Sequence, residues 1–225
     1  MRRAMLLAAA GAFLTPRATI AHGVPAPSTI SGFELPQPKA LQPFALRTGE
    51  GATFTQRDLR GRWSFLFFGF TSCPDVCPTT MLEVRDVRER LASSNDAPPT
   101  RVLFVSIDPA RDNASRLADY ASRFGPGVTA ATASEAALRA FADQFRVKYE
   151  VSKAARSAAS GYLFDHTATV SLLGPDTRLY AVFTLPLRTR EVAVDVQRIH
   201  ARHQSSICAR VLGNGDSRSC SMGSA

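Results

Sequence analysis

Residues 68–78 read Phe-Gly-Phe-Thr-Ser-Cys-Pro-Asp-Val-Cys-Pro, and what stands on either side of them decides the fold. Upstream, the run Trp63 to Phe70 (WSFLFFGF) is apolar at nearly every position, as in a parallel strand buried on both faces. Downstream, Met81, Val84, Val87 and Leu91 recur at helical spacing, and Pro78 suits a first helical position, where a missing N–H removes no bond. Cys77 precedes a proline, which biases it away from α geometry, so the reading places it at the helix cap with Cys73 in the turn before it. Both sulfurs then stand at the positive end of a helix dipole. That location favours thiolate, the form that attacks disulfides and binds metals. The expected chemistry is redox, soft-metal or both. The alternative, a bridged pair that only staples the turn, has little behind it, because closing so small a loop removes little chain entropy.

Working outward, Phe44 to Arg47, a Gly-Glu-Gly turn at 49–51 and Ala52 to Thr55 read as a hairpin ahead of the central strand. After a helix over 78–92 comes a polar break, then Arg101 to Ile107 as a second buried strand ending in Asp108-Pro109. A helix follows from about Asn113 to Phe124, and Thr132 with Glu135 makes a capping box for another over 133–145. Thr167 to Leu173, the turn Gly174-Pro175-Asp176-Thr177, and Arg178 to Phe183 form a second hairpin, and a last amphipathic helix carries Val192, Val196 and Ile199. Strands alternating with helices make a βαβ sheet. Two hairpins around a central βαβ unit predict an α/β, thioredoxin-like fold: a central mixed sheet flanked by helices, with an additional N-terminal hairpin.

At the start of the chain, Arg2 and Arg3 precede an apolar run from Ala4 to Leu14 and then small residues to Ala21, the pattern of an export signal over residues 1–21. The run is shorter than the roughly 20 apolar residues of a membrane span, which favours cleavage over a permanent anchor. A general secretory signal is expected rather than the twin-arginine route. Removal of residues 1–21 takes three arginines and lowers the formal charge from +8 to +5. No dense Lys/Arg cluster remains of the kind that binds nucleic acid. Residues 22–43, rich in Pro and Ser, read as a leader; His22, as a new N-terminus, is either part of it or a cupric chelate. The folded domain is expected over 44–202, followed by a polar, Cys-containing tail over 203–225.

Three motifs in order carry a family resemblance: GFTSCPDVCP, SIDPARD at 106–112 and YLFDHTATVSLLGPD at 162–176. Together, over about residues 40 to 200, they resemble the Sco/SenC family of copper-binding proteins. The resemblance implies one copper ion, Cu(I) or Cu(II), held by Cys73, Cys77 and His166. It implies a metallochaperone that helps assemble the binuclear copper centre of cytochrome c oxidase. The partner would be the copper-bearing oxidase subunit, with another copper chaperone or a thiol reductase upstream. The compartment would be the periplasm, with attachment to the outer face of the inner membrane left open.

The residues agree with that site. Cuprous ion prefers thiolates, and an imidazole completes a trigonal set that also holds the cupric state. Asp165 either orients the His166 ring or caps its loop. Asp108, at the carboxyl end of its strand, either bonds near the copper loop or caps the next helix, and capping is favoured. Phe67, Phe68 and Phe70 are read first as core and second as shielding. In an oxidising compartment Cys208 and Cys220 pair, against the alternative of an accessory copper site using His200 or His203. The competing function is a thiol-disulfide oxidoreductase using the Cys73–Cys77 redox pair without metal. His166, which disulfide exchange does not need, tilts the reading to copper.

Overall fold

A computed structural model describes residues 31–94, 96–152 and 162–212, with side chains described as far as Ala209. The chain opens with β1 (Gly32–Ala40), β2 (Ala45–Thr48), β3 (Thr53–Thr55), a 3-10 turn at Gln56–Leu59, β4 (Trp63–Gly69) and α1 (Val76–Ala92). It continues through β5 (Thr100–Ser106), α2 (Ala114–Ser122), β6 (Val128–Thr132), α3 (Glu135–Gln144) and β7 (Tyr149–Val151). β8 (Phe164–His166), β9 (Thr169–Leu173), β10 (Arg178–Thr184) and α4 (Thr189–Leu212) complete it. Eight strands form one mixed sheet in the order β1-β10-β9-β4-β5-β6-β2-β3, and β7 with β8 makes a separate two-stranded sheet.

β4, β5 and β6 run parallel at the centre, with Phe67 opposite Phe104. All seven residues of β4 are buried, which is what its unbroken apolar run requires of a strand covered on both faces. Phe65, Phe67, Phe68 and Phe70 are nearly inaccessible, each contributing about 1.5–3 kcal/mol relative to exposure. Core packing is thus the main role of these aromatics. Both expected hairpins form, as β2–β3 and β9–β10. The two flank the parallel strands, so the sheet is mixed as expected.

Some local expectations are corrected. α1 begins at Val76 with Asp75 as its N-cap, which places Cys77 and Pro78 inside the first turn rather than at the cap and first position. The proline is tolerated there because first-turn N–H groups have no intrahelical acceptor. The Thr132–Glu135 capping box does not form: Thr132 ends β6 and donates to the Ser106 carbonyl at 3.0 Å, Ser134 is the N-cap, and Glu135 pairs with Arg139. β6 has small residues and little apolar bulk to announce it, and β7 and β8 have only three residues each.

The folded unit reaches past 44–202 at both ends. Residues 32–40, read as leader, form the edge strand β1 against β10, with a register shift between Glu34 and Lys39 that brackets Pro36 and Pro38. Prolines are admitted where a strand lies at an edge or bulges. α4 continues to Leu212 because His203 takes the next place in the buried stripe of Val192, Val196 and Ile199. The expected export signal and His22 lie outside the described residues. Cys208, on α4, is disulfide-bonded, while Cys73 and Cys77 are free; Cys220, its expected partner, also lies outside them.

Candidate thiol and metal site

The site stands where β4 ends. Gly69 closes that strand, and a Cβ there would meet the Cys77 Sγ at 2.8 Å, so only glycine lets the sulfur sit on the sheet. The chain then turns, with the Cys73 N–H donating to the Phe70 carbonyl at 3.1 Å, before α1 begins. Asp112, fully buried, ties this turn down. Its carboxylate accepts from the Thr71 N–H at 2.9 Å, the Thr71 hydroxyl at 2.5 Å and the Ser106 hydroxyl at 2.5 Å. One carboxylate thereby fixes the Cys loop to the end of β5. Sequence reading missed both Gly69 and Asp112, although a glycine within an apolar strand marks close approach and Asp112 lies within the SIDPARD motif.

The two thiols are polarised against each other. Cys77 is buried and Cys73 is half-buried. The Cys77 thiol donates to the Cys73 sulfur, and this bond is the chief reason Cys73 is held down at about 6. Burial opposes it; the N–H groups of Cys77, at 3.4 Å, and Asp75 add to it. The same bond, then burial, then the Cys73 charge push Cys77 far up. Near neutral pH the pair is one thiolate in front and one thiol behind.

His166 ends β8 and is not in a loop as expected. Its Nδ1 lies 3.2 Å from the Thr167 carbonyl. A carbonyl only accepts, so Nδ1 carries the proton and Nε2 keeps its lone pair. The backbone therefore sets the tautomer that Asp165 was considered for. Burial lowers the His166 pKa, which favours the neutral ring; the Thr167 bond and the exposed Asp165 carboxylate oppose this. Phe67 and Phe70 meet the ring edge-on at 6.1 and 6.5 Å.

A cleft of about 320 Å³ joins the two segments, lined among others by Phe70, Cys73, Val76, Phe164, Asp165 and His166. A larger cleft of about 690 Å³ lies on the other flank of β8, lined by His166 and Asp165 with Arg139 and Lys148, but neither thiol reaches it. The smaller one is the candidate site. Asp108 does not cap α2; Asn113 does, accepting from the Arg116 N–H at 3.0 Å. Asp108 is buried at the site's edge of the sheet and accepts from Tyr162 and Arg111. His200 and His203 are not at this site: they pack on Trp63, at the far end of β4.

These features define a class: a thioredoxin-like domain with a reduced Cys-x-x-x-Cys pair, one cysteine in the turn before a helix and the other in its first turn, and a neutral histidine across the cleft. The sequence profile of the SCO1/SenC family matches residues 34–201, and the chain belongs to that family. It is 34% identical over 154 residues to the mitochondrial SCO1 homolog of Homo sapiens, covering 68% of this chain and 50% of that one. The chain spans about half the length of the curated relatives it matches. Among solved structures, ScoI of Bradyrhizobium japonicum with copper bound is 30% identical with a TM-score of 0.60, over 71% of this chain and 98% of that one. Apo Sco1 of Thermus thermophilus is 34% identical with a TM-score of 0.64, over 76% and 97%.

Proposed function

We propose that this protein binds one copper ion through Cys73, Cys77 and His166 and passes it to the copper-bearing subunit of cytochrome c oxidase, helping to build the binuclear centre. The observation that carries this reading is that Cys73 and His166 line one cleft while Nε2 of His166 holds a lone pair. A thiolate, a thiol that ionises on metal binding and a neutral imidazole are a donor set suited to both copper states. Among the described residues no three Cys, His, Asp or Glu side chains already stand together as a metal site. The copper-bound Bradyrhizobium relative supports the same reading. Among the described residues no helix is long and apolar enough to cross a membrane. With the signal-like residues 1–21, this reading places the domain in the periplasm, supplied by another copper chaperone and kept reduced by a thiol reductase.

The polarised pair favours a second reading, thiol-disulfide exchange. The Cys73 thiolate would attack a target disulfide and release one target thiolate. Cys77 would then lose its proton, attack the Cys73 sulfur and release the second, leaving the pair oxidised and the target reduced. His166→Ala separates the two. The carrier reading expects the reduced variant to lose at least about tenfold in copper affinity, with the cupric form lost most completely, while disulfide exchange keeps its parent rate. Normal copper binding with lost exchange would replace the carrier with the oxidoreductase.

A further inference from the structure

β8, which carries His166, has only three residues and pairs with β7 alone, outside the main sheet. β8 itself has no ladder to β4; the nearest backbone tie is that of β9, where Val170, four residues after His166, stands opposite Phe67, so on the side ahead of His166 the hold relative to the thiols comes from side chains. We propose that Asp108, Arg111 and Tyr162 form a clasp that positions His166 opposite Cys73 and Cys77; this rests on the copper reading above. Tyr162 lies four residues before His166 and donates its hydroxyl to Asp108 Oδ1 at 2.8 Å. The Arg111 guanidinium pairs with the other carboxylate oxygen, and its carbon stands 3.9 Å from the centroid of the Tyr162 ring. The same carbon lies 6.0 Å from the ring of Phe70, the residue whose carbonyl anchors the Cys73 N–H. Phe70 in turn meets Phe164 at 5.4 Å.

One cation thus stands against an aromatic from each ligand-bearing segment, and a carboxylate with 1% of its side chain exposed holds it there. A buried carboxylate keeps its charge only while paired. A guanidinium, planar and always charged, can stack on rings and bond a carboxylate at once, which an ammonium cannot do in the same way. Asp108, Arg111 and Tyr162 do not face the metal as ligands in this scheme. They are positioning residues that act through His166.

The test uses two conservative variants, Arg111→Lys and Tyr162→Phe, alone and combined with His166→Ala in the reduced full chain. Cu(I) affinity is read by competition with a chromophoric chelator, the cupric site by its absorption and paramagnetic resonance spectra, and the copper-free protein by Cys73 alkylation against pH. The expected result is an affinity loss of up to about tenfold for each variant, with cupric spectra shifted in the direction that His166→Ala shifts them. The Cys73 midpoint should stay near 6, and the variants should add no loss in the His166→Ala background. Tyr162→Phe leaves the ion pair intact, so it decides the matter if Arg111→Lys unfolds. Parent affinity and spectra in folded Tyr162→Phe, or a loss additive with His166→Ala, would overturn the clasp alone. Parent affinity in His166→Ala itself would overturn the copper reading and the clasp with it.

Discussion

At the scale of the residue, the pair Cys73 and Cys77 behaves as one titrating unit. Cys73 falls from 9.0 to about 6, so between those values the folded state binds fewer protons than the unfolded chain. Its contribution to stability is therefore present above pH 9, declines as pH falls through that window and is gone below about 6. Cys77, pushed up, works oppositely, and stability falls as pH rises above 9. Alkylation of the copper-free protein should label Cys73 with a midpoint near pH 6 and leave Cys77 unlabelled. Cys77→Ala removes the largest cause of the depression, and the Cys73 midpoint should then rise by at least about one unit. A midpoint near 6 in that variant would assign the shift to the helix end instead. The thiols were legible because cysteine and proline at this spacing after a buried strand leave few alternatives. Asp112 was not, because three bonds converge on it from residues up to 41 positions away, and no local pattern records that.

At the scale of the element, strongly periodic segments were legible and short or atypical ones were not. β4 and the stripe on α4 bury enough apolar surface to be seen locally. β1 hides behind two prolines and is held by tertiary contacts: Asp195 on α4, buried, accepts from the Ser31 N–H at 2.8 Å and the Ser31 hydroxyl at 2.9 Å, while Glu34 pairs with Arg202. β8 is specified by its partners rather than by its three residues. Asp195→Ala should free the start of β1 and cost about 1–3 kcal/mol, read as a lower urea midpoint. The Cys73 alkylation midpoint should not move, because β1 and the Cys loop share no bond. A shift of that midpoint would mean that the edge strand reaches the site.

At the scale of the whole molecule, the sheet separates chemistry from support. The carboxyl ends of β4 and β5 gather the Cys loop, Asp108 and Asp112. The other end of β4 carries Trp63, whose indole N–H donates to His200 Nδ1 at 3.0 Å. Tyr180 donates to Asp176 at 3.0 Å, so the 2.7 Å contact between its oxygen and His203 Nδ1 makes that nitrogen the donor. Both histidines thus spend Nδ1 on aromatic partners some seven strand residues from the thiols, or roughly 20 Å at 3.3 Å per residue. That arrangement favours a structural role over the accessory copper site weighed as the alternative to a Cys208–Cys220 pair. His203→Ala should lose the ring packed between Trp63 and Tyr180 and cost about 2 kcal/mol, seen as a lower melting midpoint. Copper bound per reduced chain and the Cys73 midpoint should both match the parent. A fall in copper stoichiometry in the folded variant would instead make the far end of the sheet a second place where this chain holds the metal.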